Sequence, residues 1–147
     1  MPDYIPSPTE WVRQQVELYE SSGGAEGTEL RGLPVIIVTH RGRKTGAIRK
    51  TPLMKVTDGA NYVLVGSRGG APHDPVWVHN LRADPEVEIR DETTVQQMHV
   101  RQVSDEEKAR LWEIAVAAFP PYAEYQQRTD RAIPVFVAEP VVGAPTE

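Results

Sequence analysis

The chain contains no cysteine. Disulfides, thiolate metal centres and a cysteine nucleophile are therefore excluded, and a reducing, cytoplasmic location is the expectation. No window approaches the roughly 18–20 consecutive apolar residues that a membrane-spanning helix needs. The N-terminus, MPDYIPSPTEW, lacks the basic start and apolar run of a secretory signal. The four histidines, at 40, 73, 79 and 99, follow no metal-ligand spacing such as His-Glu-x-x-His, so no metal site is expected. Ser67 lies outside any Gly-x-Ser-x-Gly elbow, which leaves a hydrolase triad unsupported. Positive charge is in deficit, with 16 Lys and Arg against 21 Asp and Glu and a formal net charge of −5. That balance argues against general nucleic-acid binding.

Against this acidic background, five of the 16 basic residues fall within one short stretch, as Arg41, Arg43, Lys44, Arg49 and Lys50. An apolar run, Val35 to Val38, enters the stretch and a second run, Pro52 to Val56, leaves it. Gly42 and Gly46 punctuate the turn between them. Guanidinium forks, an ammonium and freed backbone N–H groups together make an anion site. The plain alternative is a solvated hairpin tip, since charges commonly cover surfaces. The stretch is not a P-loop, because it lacks the spacer before Gly-Lys-Thr and leads to a strand. Anion binding without phosphoryl transfer is the reading.

With 147 residues, 39% of them hydrophobic and 25% charged, the chain suits one globular domain over 1–147. Residues 1–6 read as a loose tail. Ser7-Pro8-Thr9-Glu10 reads as a capped helix start, with apolar positions at Trp11, Val12, Val16, Leu18 and Tyr19, ended by Gly23-Gly24. Residues 25–31 read as loop and 32–140 as the core. Within that core the expected strands are Val35 to Thr39, Lys50 to Val56, Asn61 to Ser67, Glu86 to Arg90, Val95 to Val103 and Ile133 to Glu139, with a hairpin turn at Asp58-Gly59. Asp74-Pro75 reads as the cap of a short helix, Ser104-Asp105-Glu106-Glu107 as the capping box of a longer one, and Tyr122 to Arg128 as a last short helix. Residues 141–147 read as a frayed end. About six strands, mostly antiparallel, with flanking helices give a mainly β, α+β class, a small barrel or roll.

Three further features bear on chemistry. The segment Gly66-Ser67-Arg68-Gly69-Gly70 is a loop whose backbone a ligand can approach closely, just before a helix start. Trp77 on that helix is either a core residue or the wall of a ring-lined site. Tyr122 and Tyr125, after Pro120-Pro121, either pack a terminal helix or close a pocket with phenols that offer a hydrogen bond.

The segments GLPVIIVTHRGRKTGAIRKTPL, DGANYVLVGSRGGAPHDPVWVHNLRADPEVEI and FPPYAEYQQRTDRAIPVFV, in this order across Gly32 to Pro140, resemble the deazaflavin-dependent nitroreductase family, whose quinone and nitro reductases occur mainly in mycobacteria and other actinobacteria. The resemblance implies a split β-barrel of the FMN-binding-like kind and coenzyme F420, an 8-hydroxy-5-deazaflavin with a phosphate and an oligoglutamate tail. It implies that Arg43, Lys44 and Thr45 hold the anionic part, continued by Arg49, Lys50, Thr51, Pro52, Leu53 and Met54. It further implies that Val65, Gly66, Ser67 and Arg68 line the planar ring, that Val76, Trp77, Val78, His79 and Asn80 complete the site, and that Tyr122 sits at the reactive face. The activity expected is hydride transfer from the reduced cofactor to a small-molecule acceptor, a quinone, an enone or a nitroaromatic. Tyr122 and Ser67 are then the catalytic candidates, Tyr122, with Ser67 or a bound water, being the expected donor of the proton that follows the hydride. An FMN-binding relative and a non-catalytic carrier are the rival readings. The N-terminal helix carries Glu10, Arg13, Glu17 and Glu20, an acidic balance that is a poor match to anionic lipid, so no membrane association is expected. Apolar strands could pair two barrels as a homodimer, although no sequence feature demands it.

Overall fold

The structure, a computed structural model, describes residues 3–141. Helix α1 spans Glu10–Ser21. Strands β1 (Glu29–Leu30), β2 (Leu33–Arg41), β3 (Ile48–Met54), β4 (Thr57–Asp58) and β5 (Asn61–Val65) follow. Then come α2 (Val76–Ala83), β6 (Glu86–Asp91), β7 (Thr94–Gln102), α3 (Asp105–Ala118), α4 (Pro121–Gln127) and β8 (Val135–Pro140). All strand pairings are antiparallel, and the strand order is β1-β2-β6-β7-β8-β5-β4, with β3 joined to β2 alone. The sheet curls into a split barrel. Its seam lies between β3, whose outer backbone edge is bridged at Ile48 by Tyr4 and carries no further strand among the described residues, and the end of β5. Pro52 is tolerated in β3 because that strand is an edge, where a missing N–H costs no ladder bond.

Strict alternation gives each strand two destinations. Val35 and Ile37 of β2, Val63 and Val65 of β5, and Val135 and Val137 of β8 share one cluster with Val16 and Tyr19 of α1, Leu111 and Ala115 of α3, and Tyr122 of α4. Ile36 and Val38, Tyr62 and Leu64, and Phe136 and Ala138 face the other way, against Trp77, Val78 and Leu81 of α2. A slip of one residue in any of these strands would exchange the two cores, which fixes the register. Tyr19 locks α1 down. Its hydroxyl donates to the Val35 carbonyl at 3.0 Å and accepts the Glu92 N–H at 2.7 Å. A Cβ on Gly24 would lie 1.9 Å from the Glu92 carbonyl oxygen, so only glycine lets the end of α1 approach that hairpin.

Several expectations are corrected. Eight strands occur among the described residues, not six. β1 and β4, of two residues each, are too short to show alternation. The barrel thus begins at Glu29 rather than at residue 32. Residues 3–5 are not loose: Ile5 N–H donates to the Ile48 carbonyl at 3.0 Å and Ile48 N–H to the Asp3 carbonyl at 2.8 Å, so they run along the end of β3. Helix α1 starts at Glu10 after Thr9, because Ser7 Oγ is used by the Thr9 N–H at 3.1 Å instead of capping a helical turn. Asp74 does not cap α2, since its carboxylate is bound by Arg131 at 2.7 Å. The Ser104 cap is found as expected, its Oγ accepting the Glu107 N–H at 3.3 Å. Of the expected frayed end, residues 142–147 lie outside the described residues.

Candidate functional site

A cavity of about 690 Å³ opens at the barrel seam. One wall is β3, contributing Arg49, Lys50, Thr51, Pro52, Leu53 and Met54. The opposite wall is the end of β5 and the turn after it, Val65, Ser67, Arg68 and Gly69, with Val76, Trp77 and Asn80 of α2. The remaining side is aromatic and comes from distant segments: Trp11 of α1, Phe119, and Tyr122 and Tyr125 of α4, with Arg31. Thirteen of the residues proposed from sequence therefore share one space. Six do not line it. Arg43, Lys44 and Thr45 are exposed at the tip of the β2–β3 hairpin, Gly66 and Val78 are buried behind the wall, and His79 lies outside the lining. Sequence reasoning did not assign His40, Arg31, Trp11 and Phe119 to the site; His40 and Phe119 lie within two of the segments that carry the resemblance, whereas Arg31 and Trp11 share no motif with it.

The turn after β5 is built for close approach. Arg68, Gly69 and Gly70 have φ of 46°, 62° and 82°, three consecutive residues in the left-handed region. For Arg68 that conformation costs energy, and such strain persists only when the surroundings impose it. Arg131 imposes it here. Its guanidinium donates to the carbonyls of Ala71 (2.8 Å), Gly66 (3.1 Å) and Ser67 (2.7 Å) and to Asp74 Oδ1 (2.7 Å). Gly66 closes the wall from behind. A Cβ there would stand 2.7 Å from Val78 Cγ2 and 2.9 Å from Pro134 Cγ. Val78 and Gly66 thus shape the site without touching its interior.

Electrostatically the cavity is cationic on one side. Arg31, Arg49, Lys50 and Arg68 line it, and only Lys50 among these four has a carboxylate partner within ion-pair distance in the described structure, Glu20 at 2.6 Å. His40, 3% exposed, is held neutral at ordinary pH: burial, and then the Arg49 charge, push its pKa down to about 4. Tyr122 is 4% exposed, and burial pushes its phenol well above the ordinary value, so it keeps its proton. It packs edge-on against Phe119 at 4.9 Å and stands 6.3 Å from Tyr125. The Ser67 hydroxyl is buried at the opposite wall. Among the described residues no cluster of three metal-ligating side chains occurs, and no helix is long and apolar enough to cross a membrane.

A slot for a flat group, flanked by unpaired guanidinium groups and an open strand edge, suits a planar ligand with an anionic extension. A family model described as F420H(2)-dependent quinone reductase matches residues 11–140. The chain belongs to the F420H(2)-dependent quinone reductase family. As a member it is an oxidoreductase that works with coenzyme F420, as the resemblance implied. A protein of Mycobacterium tuberculosis named F420H(2)-dependent quinone reductase is 39% identical over 133 residues, covering 86% of this chain and 87% of its own. A solved structure of an F420-H2 dependent reductase is 43% identical, covers 72% of this chain and 94% of its own, and has a TM-score of 0.69. A second, described as a domain-swapped dimer, is 42% identical, covers 90% of this chain and all of its own (100%), and has a TM-score of 0.71. The split-barrel architecture of the quinone reductase family is the one seen here. The family and its relatives are named for a quinone acceptor, not for the enone or nitroaromatic alternatives.

Proposed function

We propose that the seam cavity is where this oxidoreductase binds F420 and brings a quinone to it. The observation that carries the reading is the convergence of Arg49, Arg68 and Arg31 on one slot that two sheet edges and α2 enclose. The phosphate and glutamates of the cofactor need such cations, and Arg43, Lys44 and Thr45, exposed on the adjoining hairpin, extend the same charge outward for the tail. Pro52, Leu53 and Met54 would hold the planar ring from one wall, and Val65, Ser67 and Arg68 from the other. Gly66 and Val78 set the depth of that slot, and Val76, Trp77, His79 and Asn80 belong to the helix that closes it.

When bound, reduced F420 supplies the hydride. The chain's own contribution is orientation and exclusion of water. Trp11, Phe119, Tyr122 and Tyr125 supply an apolar surface on which a quinone ring can lie beside the cofactor slot. The Tyr122 phenol, protonated at neutral pH, donates a hydrogen bond to a quinone oxygen, and the Ser67 hydroxyl is the second donor. Burial makes Tyr122 a weak acid, so its role is to polarise the oxygen rather than to release the proton outright, and the proton that completes the hydroquinone comes from solvent.

The experiment is a fluorescence titration with F420, followed by turnover of reduced F420 with quinones, enones and nitroaromatics as separate acceptors. Micromolar binding with quinone turnover supports the reading. Binding without turnover of any acceptor would make the protein a carrier instead, and no binding would remove the site. The same reading takes residues 1–147 as one cofactor-binding unit in the cytoplasm, acting on a small-molecule acceptor and paired as a homodimer in the manner of the domain-swapped relative. Light scattering and cell fractionation test those two points.

A further inference from the structure

His40 occupies a position where every hydrogen-bond direction can be worked out. It stands opposite Arg49 in the β2–β3 ladder and diagonal to Thr51 on the same sheet face. Asn80 approaches from α2. Its Oδ1 lies 3.0 Å from the backbone nitrogen of Arg43. A backbone N–H only donates, so this end of the amide is the oxygen. The other end, the NH2 group, therefore faces His40 Nδ1 at 3.2 Å. An NH2 group only donates, so Nδ1 accepts and carries no proton. The single proton of the neutral ring sits on Nε2, which lies 3.0 Å from Thr51 Oγ1 and donates to it. Thr51 Oγ1 is thus used as an acceptor from within the protein, and its own proton must point elsewhere. Thr51, His40 and Asn80 all line the cavity.

We propose that His40 is a positioning residue of the ligand site, holding the Thr51 hydroxyl with its proton turned into the cavity as a donor to an oxygen of the bound cofactor. The chain Arg43 N–H to Asn80, Asn80 to His40 and His40 to Thr51 also ties the base of the cationic hairpin to that donor. Charge and hydroxyl are therefore placed as one unit. Had the imidazole carried its proton on Nδ1, it would meet the Asn80 NH2 group head on and Thr51 would have to donate inward, leaving the cavity with a bare oxygen. The proposal rests on the cavity being the F420 site.

The test has two parts. Nitrogen chemical shifts of His40 in the cofactor-free protein report the tautomer directly. A protonated Nε2 and an unprotonated Nδ1 are expected, and the reverse overturns the proposal. F420 affinity is then measured for Thr51→Val, Thr51→Ser, His40→Phe and the double variant His40→Phe/Thr51→Val. Thr51→Val should weaken binding about tenfold, the scale of one lost hydrogen bond, and Thr51→Ser should restore it. Because His40 acts through Thr51, the double variant should bind no more weakly than Thr51→Val alone. An unchanged dissociation constant for Thr51→Val, or additive losses in the double variant, overturns the proposal while leaving the F420 site standing. Failure of the unsubstituted protein to bind F420 removes the site itself, and the proposal with it. If His40→Phe does not fold, the tautomer and the Thr51 pair still decide.

Discussion

Replacing Arg131 offers the sharpest stability test of how the site is held. The guanidinium makes four bonds, three to carbonyls of the loop from Gly66 to Ala71 and one to Asp74, and its side chain is 14% exposed. Arg131→Lys keeps the charge, but a single ammonium cannot reach three carbonyls and a carboxylate in the geometry of a planar fork. Each bond to a charged group contributes about 1.5–3 kcal/mol, and partial retention of the Asp74 contact leaves a loss of roughly 2–4 kcal/mol. Arg131→Met removes the cation as well. Asp74 then keeps only Arg82, at 3.7 Å, and the loss rises to about 3–4 kcal/mol, below the full cost of a broken buried pair because Asp74 is 20% exposed. For a chain of this length each kcal/mol moves the melting temperature by roughly 2–4 °C, so the lysine variant should melt about 5–15 °C lower. Hydrogen exchange localises the effect. The amides of Gly66, Gly70 and Ala71, now bonded to Pro134, Ser67 and Arg68, should lose protection while those of β6 and β7 hold theirs. A melting shift within 1–2 °C, or protection lost evenly over the sheet, would refute the claim that Arg131 imposes the left-handed run at Arg68.

Other consequences are as concrete. Gly66→Ala overpacks the wall against Val78 and Pro134 and should cost about 1–3 kcal/mol, seen as a lower denaturant midpoint; pairing it with Val78→Ala should recover part of the loss. His40 is neutral in the folded protein down to about pH 4, whereas in the unfolded chain it protonates near pH 6.5. The unfolded state therefore binds the extra proton first, so the stability contributed by this group is complete above pH 6.5 and falls as the pH drops towards 4. By pH 5 the deficit is roughly 2 kcal/mol, and urea melts of the His40→Phe variant between pH 7 and 5 should lack that part of the slope. Tyr19→Phe leaves the Glu92 N–H without its acceptor and the Val35 carbonyl without its donor. It should lose about 1–3 kcal/mol by thermal melting with little change in F420 affinity.

The parts of the fold that were legible in the sequence are those written in local chemistry. Ser104 sits directly before an acidic turn, and Val35 to Val38 lies between Gly32-Leu33-Pro34 and Gly42, so the helix and the strand could be placed. The failures share one cause. Ser7 and Asp74 have the chemistry of helix caps, but other partners claimed them: the Thr9 amide, two residues on, for one and Arg131, 57 residues away, for the other. β1 and β4 are too short for any period to show. The site divides the same way. Residues 49–54, 65–68 and 76–80 are contiguous segments that the family resemblance marked together, and most of them meet in one cavity. Trp11, Arg31 and Phe119 look like ordinary helix and loop residues, and only the packing of α1 and α4 over the seam brings them there. His40 is a separate lesson, since a lone histidine on an apolar strand suggests a core residue until Asn80 and Thr51 are seen on either side.

The most direct measurement is a crystal structure of the protein grown with F420. The account predicts the planar ring between Pro52–Met54 of β3 and Val65–Arg68, with the phosphate against Arg49 and the glutamate tail leaving over Arg43 and Lys44. A ring bound outside the seam, with Arg43, Lys44 and Arg49 turned to solvent, would contradict it.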